Sequence, residues 1–158
     1  MKEIVKLLRD KNMTIATMES CTGTGGAVAN EITNAEGEND VLLFGAVTNS
    51  NTLKEKIGIN LNILDFYTDS SIEVAKEMAK KISQFANSDI GVAITGRISK
   101  EDIRNLNGEN NRIHVSVYQK STDESMDFSV KLIANLTRES NKKIIIKKVC
   151  EKLKKIIQ

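Results

Sequence analysis

The sequence predicts an α/β fold in which a mixed sheet lies between layers of helices. Segments with helical spacing and segments with strand spacing alternate over the early part of the chain, and two strand patterns follow one another near its end. Two of the strand segments, 41–48 and 89–95, are nearly continuous apolar runs, which is typical of strands covered on both faces. We therefore expect helices on both sides of the sheet.

Composition indicates one globular domain over residues 1–158. The chain has 158 residues, of which 40% are hydrophobic and 28% charged, enough to build a core without metal or disulfides. No apolar run approaches the roughly 20 residues that span a bilayer, and residues 1–10 lack a signal-peptide pattern, so a cytoplasmic protein without membrane contact is expected. Cys21 and Cys150 lie in contexts that favour free thiols.

Five segments have the apolar spacing of helices. The predicted helices span residues 1–10, 27–32, 52–57, 70–86 and 137–157. Ser70 stands three residues before Glu73, which is the spacing of a capping box, and Gly58 is placed to end the third helix. The last helix is Lys-rich, and its predicted inward stripe consists of Ile145, Val149, Leu153 and Ile156.

Five segments have the pattern of strands. They are residues 13–18, 41–48, 89–95, 113–118 and 126–133. A long polar connection, residues 97–112, joins the third and fourth predicted strands. Long connections in compact domains are commonly either functional or disordered, and a lid over a site is the functional interpretation of this one.

The turn after the first predicted strand is the candidate site. It places Ser20 and Cys21 in a run rich in Thr and Gly, at the carboxyl end of a strand, where ligands of α/β sheets gather. The N–H groups of residues 22–26, together with the start of the next helix, are suited to an anion nest or an oxyanion hole. From these residues alone, a tight turn with a helix cap is an equally good interpretation.

The order of several motifs resembles one family. The run TIATMESCTG at 14–23 is similar to the T-x-A-x-x-E-S-C-T-G-G signature of the CinA C-terminal domain family. Residues 49–54, followed by Ile57 and Gly58, resemble its Y-S-N-x-x-K and L-G-V segments. Residues 71–78 resemble its V-S-x-x-V-A-x-x-M-A helix, and 94–96 match its I-T-G.

This resemblance implies a three-layer α/β/α sandwich and, as in many relatives, an amidohydrolase that converts nicotinamide mononucleotide to nicotinic acid mononucleotide and ammonia. It implies Ser20 as the nucleophile and neither a metal nor another cofactor. The small-molecule nucleotide substrate would be held by pocket positions that the motifs place at Glu19, Thr22, Gly23, Gly25, Asn51 and Thr95.

A serine nucleophile needs a base, and the candidates differ in merit. Lys54 is the preferred base, because burial lowers the pKa of a lysine towards neutrality, although a solvated helix residue is an equally good interpretation of its position. His114 is the only histidine and stands on a predicted strand, which favours a structural role. Cys21 is the second choice for the nucleophile.

Three departures from the family pattern fall within the motifs. Asn49 stands where the family has tyrosine, and the glycine turn over 23–26 is longer than usual. After Gly96 the common A-G-P-x-G-G stretch is replaced by a segment that contains Arg97 and Lys100. Either cation is suited to contact a substrate phosphate in place of the missing glycines.

The departures favour an alternative in which the chain binds a nucleotide without hydrolysing it, or acts on another substrate. Nucleic-acid binding is a third possibility, but a net charge of +2 and 4% aromatic residues argue against it. Its basis is the set of lysines on the last helix, for which a solvated face is the simpler interpretation: Lys142, Lys143, Lys147, Lys148, Lys152, Lys154 and Lys155. A homo-oligomer is expected from the size and class of the protein.

Overall fold

The computed structural model describes residues 1–67, 70–98 and 109–158. Its helices are α1 Lys2–Asp10, α2 Ala27–Thr33, α3 Asn51–Lys56, α4 Leu61–Tyr67, α5 Ile72–Ala86 and α6 Arg138–Ile157. Its strands are β1 Ile15–Ser20, β2 Leu42–Thr48, β3 Ile90–Arg97, β4 Arg112–Gln119 and β5 Glu124–Lys131, and a 3₁₀ turn covers Glu38–Asp40. Among the described helices none is long and apolar enough to cross a membrane.

The five strands form one mixed sheet, as the sequence predicts. Their spatial order is β2-β1-β3-β4-β5. Strands β1, β2 and β3 are parallel, whereas β4 runs antiparallel to both β3 and β5. The carboxyl ends of the three parallel strands therefore lie at the same end of the sheet, beside the amino end of β4.

Helices cover both faces of the sheet and create two cores, so the α/β/α prediction is confirmed. On one face α1, α2 and α6 pack through residues such as Leu8, Val28 and Val149. On the other face α5 lies across the sheet and buries Met78 and Ile82 against β1, β3 and β4. Each face of the central strands is thus closed to water except near the strand ends.

The cap of helix α5 lies one residue later than predicted. The hydroxyl of Ser71, not that of Ser70, accepts the N–H of Val74 at 3.1 Å and caps the helix. Asn87 ends it in the left-handed conformation with a φ of 55°. In α6, Ile157 rather than Ile156 completes the fully buried stripe, which differs by one position from the prediction.

Strand β2 was predicted to be buried on both faces, and this is wrong. It lies at the edge of the sheet, and Leu43, Phe44 and Val47 are 47%, 37% and 50% exposed. An apolar run cannot by itself distinguish a central strand from an edge strand whose apolar side chains face outward. Helix α4 was not predicted at all; its Leu64 is buried in the core, whereas Phe66 is 81% exposed, so apolar residues occur on more than one face of this short helix.

Candidate active site

Strand β1 continues two residues beyond its predicted end and includes Glu19 and Ser20. All six of its residues are buried, and Ser20 stands at its last position. Successive side chains of a strand point to opposite faces. Glu19 therefore points towards the layer that contains α2, and Ser20 points towards the layer that contains α5. Neighbouring residues of the motif thus lie on opposite faces of the sheet.

The Ser20 hydroxyl is enclosed by the glycine turn that follows it. Ser20 is 5% exposed, and its Oγ accepts the N–H of Gly23 at 3.0 Å. Its carbonyl oxygen accepts the N–H groups of Gly23 and Gly25 at 3.1 and 3.0 Å. Two of the amides that the sequence assigned to an anion nest therefore hold Ser20 in place.

The turn requires glycine for two different reasons. At Gly23 a Cβ atom would lie 2.8 Å from the Oγ of Ser20, so the close approach of the backbone to the hydroxyl depends on the missing side chain. Gly25 and Gly26 have φ values of +59° and +89°, in the left-handed region that glycine adopts without strain. The turn then leads directly into α2.

The carboxylate of Glu19 anchors α2. Its two oxygens accept the N–H groups of Val28 and Ala29 at 3.2 and 3.0 Å, and the residue is fully buried. These are first-turn donors, which have no partner within the helix, and a carboxylate also interacts favourably with the positive end of the helix. The protein itself thus supplies the anion for this helix end, and contact of Glu19 with a substrate stays a prediction.

Hydroxyl side chains form a row across the strand ends. Ser20 is the register partner of Thr48 on β2, and Thr95 follows Ile94, the partner of Glu19 on β3. Thr48 is 3% exposed, and its hydroxyl has no hydrogen-bond partner among the described residues. Sequence analysis did not identify Thr48. Its hydroxyl lies at the carboxyl end of β2, which is parallel to β1, and site residues of α/β proteins are expected at such strand ends.

Lys54 is buried on α3, the helix that follows β2, so its interpretation as a solvated helix residue is wrong. Helix α3 begins directly after β2, capped by the Ser50 hydroxyl, which accepts the N–H of Leu53 at 3.3 Å. Lys54 is 2% exposed, and its Nζ donates to the Oδ1 of Asn51 at 3.5 Å. The fold thereby brings two predicted site residues together, next to the strand that neighbours Ser20.

His114 lies at the same end of the sheet but is displaced from Ser20. It is the register partner of Thr95, so β3 stands between it and β1, about 10 Å away at the usual strand spacing. Its Nδ1 is 2.8 Å from the Oγ of Ser129. Burial lowers the pKa of His114 below its usual value, and the Arg112 charge lowers it further. A direct proton transfer between Ser20 and His114 is therefore excluded in this geometry.

Strand β3 also extends beyond its predicted end and includes Gly96 and Arg97. The hydroxyl of Thr22 donates to the carbonyl of Gly96 at 2.8 Å, and the N–H of Ile98 donates to the carbonyl of Thr22 at 3.2 Å. Gly96 has a φ of +120°, and a Cβ there would lie 2.4 Å from the carbonyl oxygen of Arg112. Predictions about Lys100, and about most of the 97–112 connection as a lid, fall outside the described residues.

Arg138 at the start of α6 contacts the glycine turn of the candidate site, and sequence analysis did not identify it. Its Nη2 donates to the carbonyl oxygens of Cys21 and Gly23, at 2.7 and 3.0 Å. No local pattern connects it with a turn more than a hundred residues away, so nothing in the sequence singles it out. Cys21 itself is exposed and its thiol is free, as is that of Cys150.

A groove of about 880 Å³ lies at the opposite end of the strands, far from Ser20. Lysine, arginine and carboxylate side chains of α1 and of the segment around Glu36 line it, and the Arg9 guanidinium forms an exposed ion pair with Asp40 at 3.1 Å. Mixed charges of this kind do not select one type of ligand. Within the described residues no group of three or more His, Cys, Asp or Glu side chains is arranged to hold a metal ion.

Comparisons with known proteins identify the family. The model of the CinA C-terminal domain matches residues 1–157. A competence-damage inducible protein of Caldanaerobacter subterraneus is 46% identical over 98 residues, which are 61% of this chain and 23% of that protein. One from Clostridium beijerinckii is 44% identical over 94 residues, 59% of this chain and 22% of that protein. The matched part thus spans less than a quarter of these curated relatives.

Solved structures show the same fold. The competence/damage inducible protein CihA of Agrobacterium tumefaciens superposes with a TM-score of 0.86 at 21% identity, covering 99% of this chain and 92% of that one. A competence or damage-inducible protein of Enterobacter asburiae gives 0.83 at 23% identity, with coverage of 99% and 98%. Because the family model matches residues 1–157, the chain belongs to the CinA C-terminal domain family.

Proposed function

We propose that this chain is an amidohydrolase that converts nicotinamide mononucleotide and water to nicotinic acid mononucleotide and ammonia, with Ser20 as nucleophile. The observation that carries the proposal is the placement of the Ser20 hydroxyl. It stands at the carboxyl end of a central parallel strand, 3.0 Å from the Gly23 amide, and Lys54 is buried on α3, the helix that follows the neighbouring strand β2. This combination of a nucleophile, a backbone donor and a buried amine is suited to acyl transfer.

In the proposed reaction the Oγ of Ser20 attacks the carboxamide carbon, and its proton passes to the Nζ of Lys54, which must be unprotonated to act as the base. Collapse of the tetrahedral intermediate breaks the C–N bond, and the leaving amine takes that proton to depart as ammonia. Water then attacks the resulting ester, restores the Ser20 hydroxyl and releases the carboxylic acid. The Gly23 N–H and the Thr48 hydroxyl are the candidate donors to the developing oxyanion.

The test is ammonia release from nicotinamide mononucleotide by the purified chain. Release that is lost in Ser20→Ala and in Lys54→Met, but is retained in Cys21→Ser, supports the proposal and assigns the nucleophile to the hydroxyl. Loss in Cys21→Ser with activity retained in Ser20→Ala would transfer the role to the thiol. Absence of release from the native chain would refute the activity.

The second candidate is a protein that binds a nucleotide without hydrolysing its amide, or that acts on a different substrate. The observation that favours it is the segment after Gly96, where a strand residue, Arg97, stands in place of the glycine-rich stretch of the family. Equilibrium binding of the mononucleotide without ammonia release would select this alternative.

We also propose that the chain forms a homo-oligomer through the β2 edge. Among the described residues β2 pairs only with β1, and its exposed Leu43, Phe44 and Val47 leave an apolar edge. A second copy of β2 can satisfy both the open main-chain groups and these side chains. Light scattering should give a multiple of the 17.5 kDa chain mass, and Val47→Lys should reduce it to one chain. A single-chain mass for the native protein would refute this assembly.

A further inference from the structure

Arg97 is a buried cation whose hydrogen-bonding capacity is only partly used. The residue is 5% exposed, and its Nη1 donates to the Oδ1 of Asn110 at 3.0 Å. Its Nε and Nη2 are buried and have no partner among the described residues. A buried charge without a partner is costly, and such groups in proteins are normally paired. The described part of the chain therefore supplies no anion to pair with this guanidinium.

The unused atoms have the geometry that binds one anionic group with two bonds. Nε and Nη2 form one edge of the guanidinium fork, and their N–H bonds are parallel, which matches two oxygens of a phosphate or a carboxylate. Asn110 holds the third nitrogen and so fixes the orientation of the plane. The fork is thus fixed in orientation, and a ligand reaches its buried Nε and Nη2 atoms when the residues that cover them move aside.

The surrounding charge also favours an anion. Arg112 is the register partner of Arg97 across the antiparallel pair, so two guanidinium side chains originate from facing positions. Glu109 approaches the Nε of Arg112 at 2.6 Å, although this Nε is not aligned for a hydrogen bond. The ion pair stabilises Arg112, whereas in the described residues no carboxylate pairs with Arg97.

Arg97 is positioned close to the Ser20 turn. It stands two residues beyond Thr95 on β3, about 7 Å along the strand. On either side of it, Gly96 and Ile98 are hydrogen-bonded to Thr22, two residues after Ser20. The main chain on both sides of Arg97 is therefore tied to the turn that encloses Ser20.

We propose that Arg97 binds the phosphate group of a mononucleotide and thereby selects a phosphorylated substrate over the corresponding riboside. The inference rests on the proposed function for the ligand's identity, because phosphate is the one anionic group of nicotinamide mononucleotide. The Nε and Nη2 of Arg97 then donate to two phosphate oxygens, and the reacting carboxamide lies towards Ser20.

The test is equilibrium binding by calorimetry of two amide-free ligands, nicotinic acid mononucleotide and nicotinic acid riboside, which differ by one phosphate. The native chain should bind the mononucleotide about 10- to 100-fold more tightly, the range expected for charge-assisted hydrogen bonds. Arg97→Gln should abolish this preference and change riboside affinity less than about two-fold. Arg9→Gln, which removes an exposed cation at the far end of the sheet, should keep the preference.

Arg97→Lys keeps the charge but not the fork, so it should show an intermediate preference and provides a second variant if Arg97→Gln does not fold. Equal weakening of both ligands by Arg97→Gln, or no mononucleotide preference in the native chain, would overturn the inference. Because these ligands contain no amide, an Arg97-dependent preference without ammonia release from the amide substrate would uphold this inference while refuting the hydrolase.

Discussion

The contact between Gly23 and Ser20 can be tested by a double-mutant cycle that does not depend on knowing the reaction. In Gly23→Ala the new Cβ would lie 2.8 Å from the Ser20 Oγ, whereas its next neighbours, the carbonyl oxygen of Ser20 and the Cγ2 of Ile94, are 3.4 and 3.6 Å away. The last two distances are ordinary contacts. The hydroxyl alone must move, and it loses the N–H of Gly23 as its donor.

The size of the effect follows from that one displaced group. A buried hydroxyl that loses its partner costs about 1–3 kcal/mol, so Gly23→Ala should lower the free energy of unfolding by that amount. In a Ser20→Ala background the clash is absent, and the same change should cost little or stabilise by about 0.4–1 kcal/mol, because alanine restricts the unfolded chain. The coupling energy between the two sites should therefore exceed about 1 kcal/mol.

Urea unfolding of the four chains measures this coupling, and thermal unfolding provides a second readout, with about 2–4 °C expected for each kcal/mol. The variant Gly23→Ala should also lose any activity that depends on the orientation of Ser20. An equal cost of Gly23→Ala in both backgrounds would refute the reasoning, because the penalty would then come from the backbone and not from the hydroxyl.

Three further predictions concern the structure around the site. Gly91→Ala should destabilise the protein by about 3 kcal/mol or more in urea unfolding, because its Cβ would lie 2.0 Å from the main-chain carbonyl of Ala79 in α5; a small change would contradict this close packing. Asn141 accepts the N–H of Ile133 at 3.3 Å and donates to its carbonyl at 3.1 Å, so Asn141→Asp, which cannot donate, should cost about 1–3 kcal/mol despite its similar shape, and an unchanged unfolding midpoint would argue against the pair. Burial, and then the Arg112 charge, lower the pKa of His114 in the folded chain. Between that lowered pKa and about 6.5 the unfolded chain therefore binds more protons at His114 than the folded chain does, so the free energy of unfolding should rise with pH through this window and level off above it. The variant His114→Gln should flatten this rise.

Local chemistry made much of the fold predictable. The spacing of Val74, Met78 and Ile82 predicted α5 because one face of that helix is apolar, and all three are buried. Strand β2 was placed almost correctly along the chain but misjudged in burial, since its neighbours in the sheet are set by topology. The same limit explains why Glu19 and Ser20 were placed in a turn: the parallel partners that extend β1 come from β2 and β3.

The candidate site divides in a similar way. The motif around Ser20 was recognisable because its residues are contiguous, and Lys54 with Asn51 followed from the same family resemblance. Arg138 and Thr48 were missed because their positions depend on contacts between distant segments. The burial of Arg97 also required the structure, because a strand that continues past Gly96 is not indicated by a polar run.

The long-range pairing of β1 with β3 has a consequence for folding. Ile15 is paired with Ile90, and the side chain of Asp89 accepts hydrogen bonds from Thr14, so closing this part of the sheet joins segments about 75 residues apart. The β3-β4-β5 segment needs shorter connections, and long-range parallel pairing is intrinsically slow. The chain contains no proline, so no prolyl isomerisation delays its refolding. We therefore expect the arrangement at the strand ends to form only when the parallel sheet closes, late in folding.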